Sequence, residues 1–133
     1  MSDLYSAVRV EAAKAQFNWL TDDFKLAFID ADEYTVNYAT DQVLEDIPTA
    51  AVIAISESLD TKSVSASGWM KAGTTVFVEP EGSIGEAVVL FKDTGDPATS
   101  TLVAYLDSEE YQQIIPNGAD VYVLWHADGI IQF

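Results

Sequence analysis

Glu86-Ala-Val-Val-Leu-Phe-Lys-Asp-Thr-Gly-Asp-Pro-Ala-Thr-Ser-Thr-Leu-Val-Ala-Tyr-Leu-Asp107 is the stretch on which the fold turns. Two short apolar runs, Ala87 to Phe91 and Leu102 to Leu106, are rich in β-branched and aromatic residues and flank eight residues of turn chemistry, Asp93 to Ser100. Gly95 frees the backbone from Cβ sterics, and Pro97 fixes φ while withholding an N–H, so neither run continues through the connection. The pattern is that of a β-hairpin. Because both runs are nearly continuous in apolar residues, each strand is expected to be covered on both faces and to lie centrally in its sheet.

Working outward, Ser2 or Asp3 can cap a helix, and the segment from Asp3 to Phe17 contains no Gly or Pro. Tyr5, Val8, Ala12, Ala15 and Trp19 recur at helical spacing, which predicts one amphipathic helix over residues 3–17 laid against a sheet. Phe24 to Asp30 alternates Phe24, Leu26 and Phe28 onto one face and reads as the first strand. Residues 32–47 turn polar and read as a surface excursion, with one helical turn capped by Thr40 or Asp41 before Pro48.

Further strands are expected at Ala51 to Ser56, Lys62 to Ser67 as an edge, and Thr74 to Val78. Asn117-Gly118 marks a turn, and Val121 to Trp125 and Ile130 to Phe133 read as a closing strand pair. Short strands at near-regular spacing with one helix at the start predict a mainly β protein: an antiparallel β-sandwich or flattened barrel carrying one N-terminal amphipathic helix. No internal repeat or linker breaks the pattern, so residues 1–133 read as a single domain, with the sandwich over 24–133.

Composition narrows the function. Apolar residues make up 49% of the chain and charged ones 21%, the balance of a folded protein with a core. With no cysteine, disulfides and thiolate metal sites are excluded. Six Lys and Arg stand against 22 Asp and Glu, a formal charge of −16, which repels nucleic-acid phosphates and anionic membranes. A soluble protein that binds neither is expected, and no secretory leader or long apolar span is visible.

Chemistry is sparse. The single histidine, His126, sits beside Asp128-Gly129 and reads as a strand-end surface residue, not a catalytic base, and no Gly-x-Ser-x-Gly elbow surrounds a serine. Asp30, Asp32 and Glu33 raise the question of calcium, but an EF-hand opening at Asp30 has Thr35 and Asp41 where glycine and glutamate belong, so solvated turn charge is the reading. The seven glycines are isolated and no lysine follows a glycine-rich loop, so there is no phosphate cradle. No enzyme, cofactor or metal is expected.

Several strings, taken in order, carry a resemblance. Asn18-Trp19-Leu20-Thr21-Asp22-Asp23-Phe24-Lys25-Leu26-Ala27, Tyr34-Thr35-Val36-Asn37, Asp46-Ile47-Pro48, Phe91-Lys92-Asp93-Thr94-Gly95 with Ala98-Thr99-Ser100, and Val103-Ala104-Tyr105-Leu106-Asp107 are joined by Pro116-Asn117-Gly118 and Trp125-His126-Ala127-Asp128-Gly129-Ile130-Ile131. Together they resemble a family of small virion structural proteins of tailed bacteriophages. The resemblance implies a non-enzymatic building block of the particle, located in the virion, held by other virion proteins and forming a homo-oligomer there. Small size and acidity favour a capsid decoration subunit bound to the major capsid protein; a tail or neck component is the alternative. From other classes, the charge suits an acidic DNA mimic, and Trp19, Trp69 and Trp125 suit a carbohydrate-binding module. The departure from the family pattern at Gly68-Trp69-Met70-Lys71-Ala72-Gly73 reads as an apolar turn and makes Trp69 and Met70 the candidate contact residues.

Overall fold

The computed structural model describes residues 3–77, 87–107, 112–117, 120–125 and 129–132, and every structural statement below concerns these. The expected hairpin is its centre. Strands Ala87–Lys92 and Leu102–Asp107 pair antiparallel, and Ala87, Val88, Val89, Leu90 and Phe91 are all buried, as a strand covered on both faces must be.

In chain order the elements are β1 (Asp3–Leu4), α1 (Ser6–Ala13), β2 (Phe24–Ile29), β3 (Val52–Ile55), β4 (Ser63–Val64), β5 (Trp69–Lys71), β6 (Thr75–Phe77), β7 (Ala87–Lys92), β8 (Leu102–Asp107), β9 (Gln112–Asn117), β10 (Asp120–Trp125) and β11 (Ile131–Gln132). They form a five-stranded sheet ordered β1-β8-β7-β2-β3 and two three-stranded sheets, β6-β10-β9 and β11-β5-β4. Every pairing is antiparallel. The large sheet ends in β1 and β3, which do not pair with each other, so the fold is sandwich-like and not a closed barrel.

Strand periodicity divides the core into two. Phe24, Leu26 and Phe28 of β2 share one apolar cluster with Val88, Leu90 and Leu106, and with Met70, Phe77, Val123, Ile130 and Ile131 from the two smaller sheets. Phe28 and Phe77 stack across this interface with centroids 4.9 Å apart. Ala27 and Ile29 point the other way, into a cluster with Val89, Phe91 and Leu102 that Tyr34, Ile47 and Ala51 cover. The polar segment expected to be only a surface excursion is therefore the lid of the second face. Its few apolar residues were enough, because a sheet buried on both sides needs a cover and not a second sheet.

Two register shifts adjust which residues share a face. One between Leu90 and Phe91 pairs Phe91 with Leu102 and leaves Val103 over, so Leu102 joins Phe91 in the second cluster while Val103 joins the first. The other, between Phe28 and Ile29, leaves Ile53 as the extra residue on β3.

The helix is shorter than its periodicity predicts. Leu4 and Asp3 are drawn into β1 beside Ala104 and Tyr105, and α1 starts after Tyr5, which donates no side-chain cap. At the other end, Gln16 N–H donates to Glu11 O and Ala15 N–H to Ala12 O, with Ala15 at φ 57, the hydrogen-bond pattern of a Schellman stop. Lys92 holds that stop in place by donating to Gln16 O at 2.8 Å and Glu11 Oε1 at 3.0 Å. Thus Ala12 and Ala15 are exposed, and Trp19 is buried from a turn, not from a helix.

That turn recurs. Asn18-Trp19-Leu20-Thr21-Asp22 and Asn37-Tyr38-Ala39-Thr40-Asp41 are the same brace: the Asn side chain accepts from the N–H groups two and three residues on. The Asp carboxylate accepts from the Asn N–H, and the Asp N–H returns to the Asn carbonyl.

The closing strand pair is also corrected. β10 lies between β6 and β9, whereas β11 crosses to pair with β5. Gly129 makes the crossing feasible: a Cβ there would sit 2.7 Å from Met70 O, and its φ of +133 suits glycine alone. The β9–β10 register opposes Asn117 to Asp120, so Asn117 is the last paired residue of β9 and not the centre of a two-residue Asn-Gly turn, while Gly118 itself lies outside the described residues.

Candidate interaction surface

The titratable groups come together mainly in structural roles. Tyr34 donates to Asp41 Oδ2 at 2.7 Å, which commits its proton, so Tyr5 is the donor in the 2.8 Å contact between the two hydroxyls. Burial, first of all, pushes the pKa of Tyr5 far above the ordinary tyrosine value, and its hydrogen bond to Tyr34 adds to the rise. Burial likewise raises that of Tyr34, reinforced by Asp41 and opposed by the bond from Tyr5. Two phenols held neutral this firmly join the N-terminal segment to the lid over the second core. They do not supply a base near neutral pH.

Three of the chain's six cations gather around Asp22 and Asp93. Lys25 pairs with Asp93 at 3.1 Å, and Lys92 with Glu11 at 3.0 Å, with Asp22 3.9 Å away. Lys62 donates to the Asp22 carbonyl and lies over the rings of Trp19 and Phe24.

Asp30 is buried, and its Oδ1 accepts from Asp32 N–H at 3.0 Å while its carbonyl accepts from Glu33 N–H. The carboxylates singled out as a calcium question thus include one that shapes its own turn, and among the described residues no three His, Asp or Glu converge as a metal site would require. His126 lies outside the described residues.

The segment expected to be an apolar turn is the middle strand of a sheet. β5 runs between β4 and β11, with a turn before it, where Gly68 takes φ 90 and its N–H donates to Ser65 O. Side chains alternate along it. Met70 points inward at 1% exposure and belongs to the core, which removes it as a contact residue. Trp69 points to the opposite face and is half-buried, opposite Gln132 of β11, whose side-chain amide donates to Ser67 O at 2.9 Å. Trp69 thus keeps an outward surface where Met70 has none.

Beside this sheet lies a hollow of about 330 Å³ whose floor includes Trp19 and Met70 and whose rim includes Phe17, Leu20 and Val64. Leu20 is 54% exposed and Val64 52%. Trp19 is fixed beneath them, its Nε1 donating to Ser63 O at 2.9 Å and Lys71 O at 3.2 Å. Sequence reasoning missed Leu20 and Val64, since neither sits in a local pattern that distinguishes an exposed apolar residue from a core one. No family model matches this chain, and no curated protein matches it.

Proposed function

We propose that this protein is a non-enzymatic structural subunit of a bacteriophage virion, most specifically a capsid decoration subunit that attaches to the assembled head through the face bearing Trp69. A tail or neck position is the alternative within the same class. The observation that carries the reading is the ordered set of sequence strings from Asn18 to Ile131 that resembles such proteins. It is supported by a β-rich body whose main sheet is buried on both faces, by the outward surface of Trp69, and, on the Met70 side of β5, by the exposed Leu20 and Val64, small apolar areas of the kind that each make one modest contact.

Quantitative mass spectrometry of purified particles tests the reading. A fixed, high copy number per major capsid protein is expected; absence from the particles refutes virion membership, and a low copy number matching a ring refutes decoration in favour of the tail or neck.

A further inference from the structure

We propose that β3 is a docking edge for an extended, basic segment of a different protein, which adds to the five-stranded sheet as a new strand. This goes beyond the reading above and holds whether or not the partner is a virion protein.

β3 ends the large sheet and is bonded to β2 on one side only. Ser56 N–H donates to Leu26 O, so its neighbour Ile55, one position back, turns its own N–H and C=O away from β2 toward the open side. The strand reads Val-Ile-Ala-Ile, with no charge, no proline and Ile55 43% exposed. Open edges of this composition are normally blunted by lysine, proline or a covering loop.

Next to that edge is a hollow of about 510 Å³, walled by Leu44, Ile47, Val52, Ile55 and Pro97, with Glu45 and Asp96 also at its lining. Its walls are tied together before any partner arrives. Leu44 N–H donates to Ser100 O, Glu45 N–H to Pro97 O, and Asp96 Oδ1 accepts from Ala98 N–H. A strand laid along β3 would satisfy the outward groups of Ile55 by main-chain bonds, and its alternate side chains would enter the hollow.

Charge selects the occupant. Both carboxylates beside the hollow are exposed, and the chain as a whole carries −16. A second copy would bring the same charge to the same edge, which opposes self-pairing and explains how so apolar an edge can stay open. A segment alternating apolar residues with Lys or Arg meets the hollow and its rim together.

The test uses the full chain and a fluorescent short peptide alternating lysine and valine, with a glutamate–valine peptide as the opposite-charge control. Binding is followed by polarisation at low and high salt and mapped by backbone amide shifts and hydrogen exchange. The lysine–valine peptide is expected to bind, to retain measurable binding at high salt, and to slow exchange of the Ile55 amide. Ile55→Lys should weaken it at least about tenfold with the melting temperature held, and Glu45→Lys, at an exposed position, should narrow the preference over the acidic peptide. No binding, equal binding of both peptides, shifts that map elsewhere, or affinity indifferent to both substitutions each overturn the proposal. So does concentration-dependent dimerisation that protects Ile55, which would assign the edge to a second copy. None of these outcomes bears on whether purified particles contain the protein.

Discussion

Met70→Ala separates a core strand from a contact loop at the position where sequence and structure differ most. The side chain is 1% exposed, lies in the cluster between the large sheet and the two smaller ones, and forms part of the floor of the hollow rimmed by Leu20 and Val64. Truncating a buried methionine to alanine costs about 2–5 kcal/mol, the upper values belonging to sealed cavities that stay empty. Here the new void opens into the existing hollow and can hydrate, so the lower part of the range applies, about 2–3 kcal/mol. The backbone bond from Ile130 N–H to Met70 O survives the change.

With about 2.1 cal/mol/K of unfolding entropy per residue, a 133-residue domain has about 0.28 kcal/mol/K, and the melting temperature should fall by about 7–11 °C. Val64→Ala, on the exposed rim of the same hollow, should stay within about 0.5 kcal/mol. Scanning calorimetry at fixed protein and salt concentration measures both. A Met70→Ala shift under about 2 °C, or a Val64→Ala shift as large as that of Met70→Ala, would refute the inward orientation of Met70 and the reasoning built on it.

Two further expectations concern the second cluster and the end of α1. Tyr5 and Tyr34 hold their protons above the ordinary tyrosine pKa of 10.0, so the unfolded chain loses those protons first as pH rises. Their contribution is intact below pH 10.0 and is lost on going higher: the melting temperature should drop steeply in alkali. Tyrosinate absorbance should show two phenols ionising only with unfolding; all six titrating together in the folded protein would contradict the buried pair. Ala15→Gly should stabilise the chain by about 0.5–1 kcal/mol, because an exposed alanine there occupies the left-handed region that glycine enters freely. A lowered melting temperature would show that the helix does not stop at Lys14.

The central hairpin was legible because its two runs carry their own evidence: continuous apolar residues need two covers wherever they sit, and Gly95 and Pro97 leave only a turn between them. The helix was over-read for the opposite reason. Nothing in residues 14–17 forbids helix, and what ends it is Lys92, far along the chain, bonded to Gln16 O and Glu11. Trp69-Met70-Lys71 between two glycines looks like a turn tip until β4 and β11 are seen on either side, and three residues are too few to show their alternation.

The lid was illegible for a similar cause, since Tyr34, Ile47 and Ala51 are spread through a polar stretch and acquire meaning only beneath β2 and β7. Of the candidate site, Trp69 was named from the sequence. The hollow beside β3 was not, because it exists only where residues 44–47 meet 96–98.

The order of strands in the large sheet also sets when the protein can take shape. Residues 3–4 lie against 104–105, and β2 lies between β3 and β7, so a chain emerging from the ribosome has made most of its length before the sheet can be completed. Helix α1, the β9–β10 pair and the two five-residue Asn-to-Asp braces are local enough to form early, and the large sheet is not. Assembly is therefore a late event with slow, long-range closures, and until the strands of the two smaller sheets are released, β10 and β11 last of all, the apolar face of Phe24, Leu26 and Phe28 stands incompletely covered and open to whatever captures nascent chains in the cell.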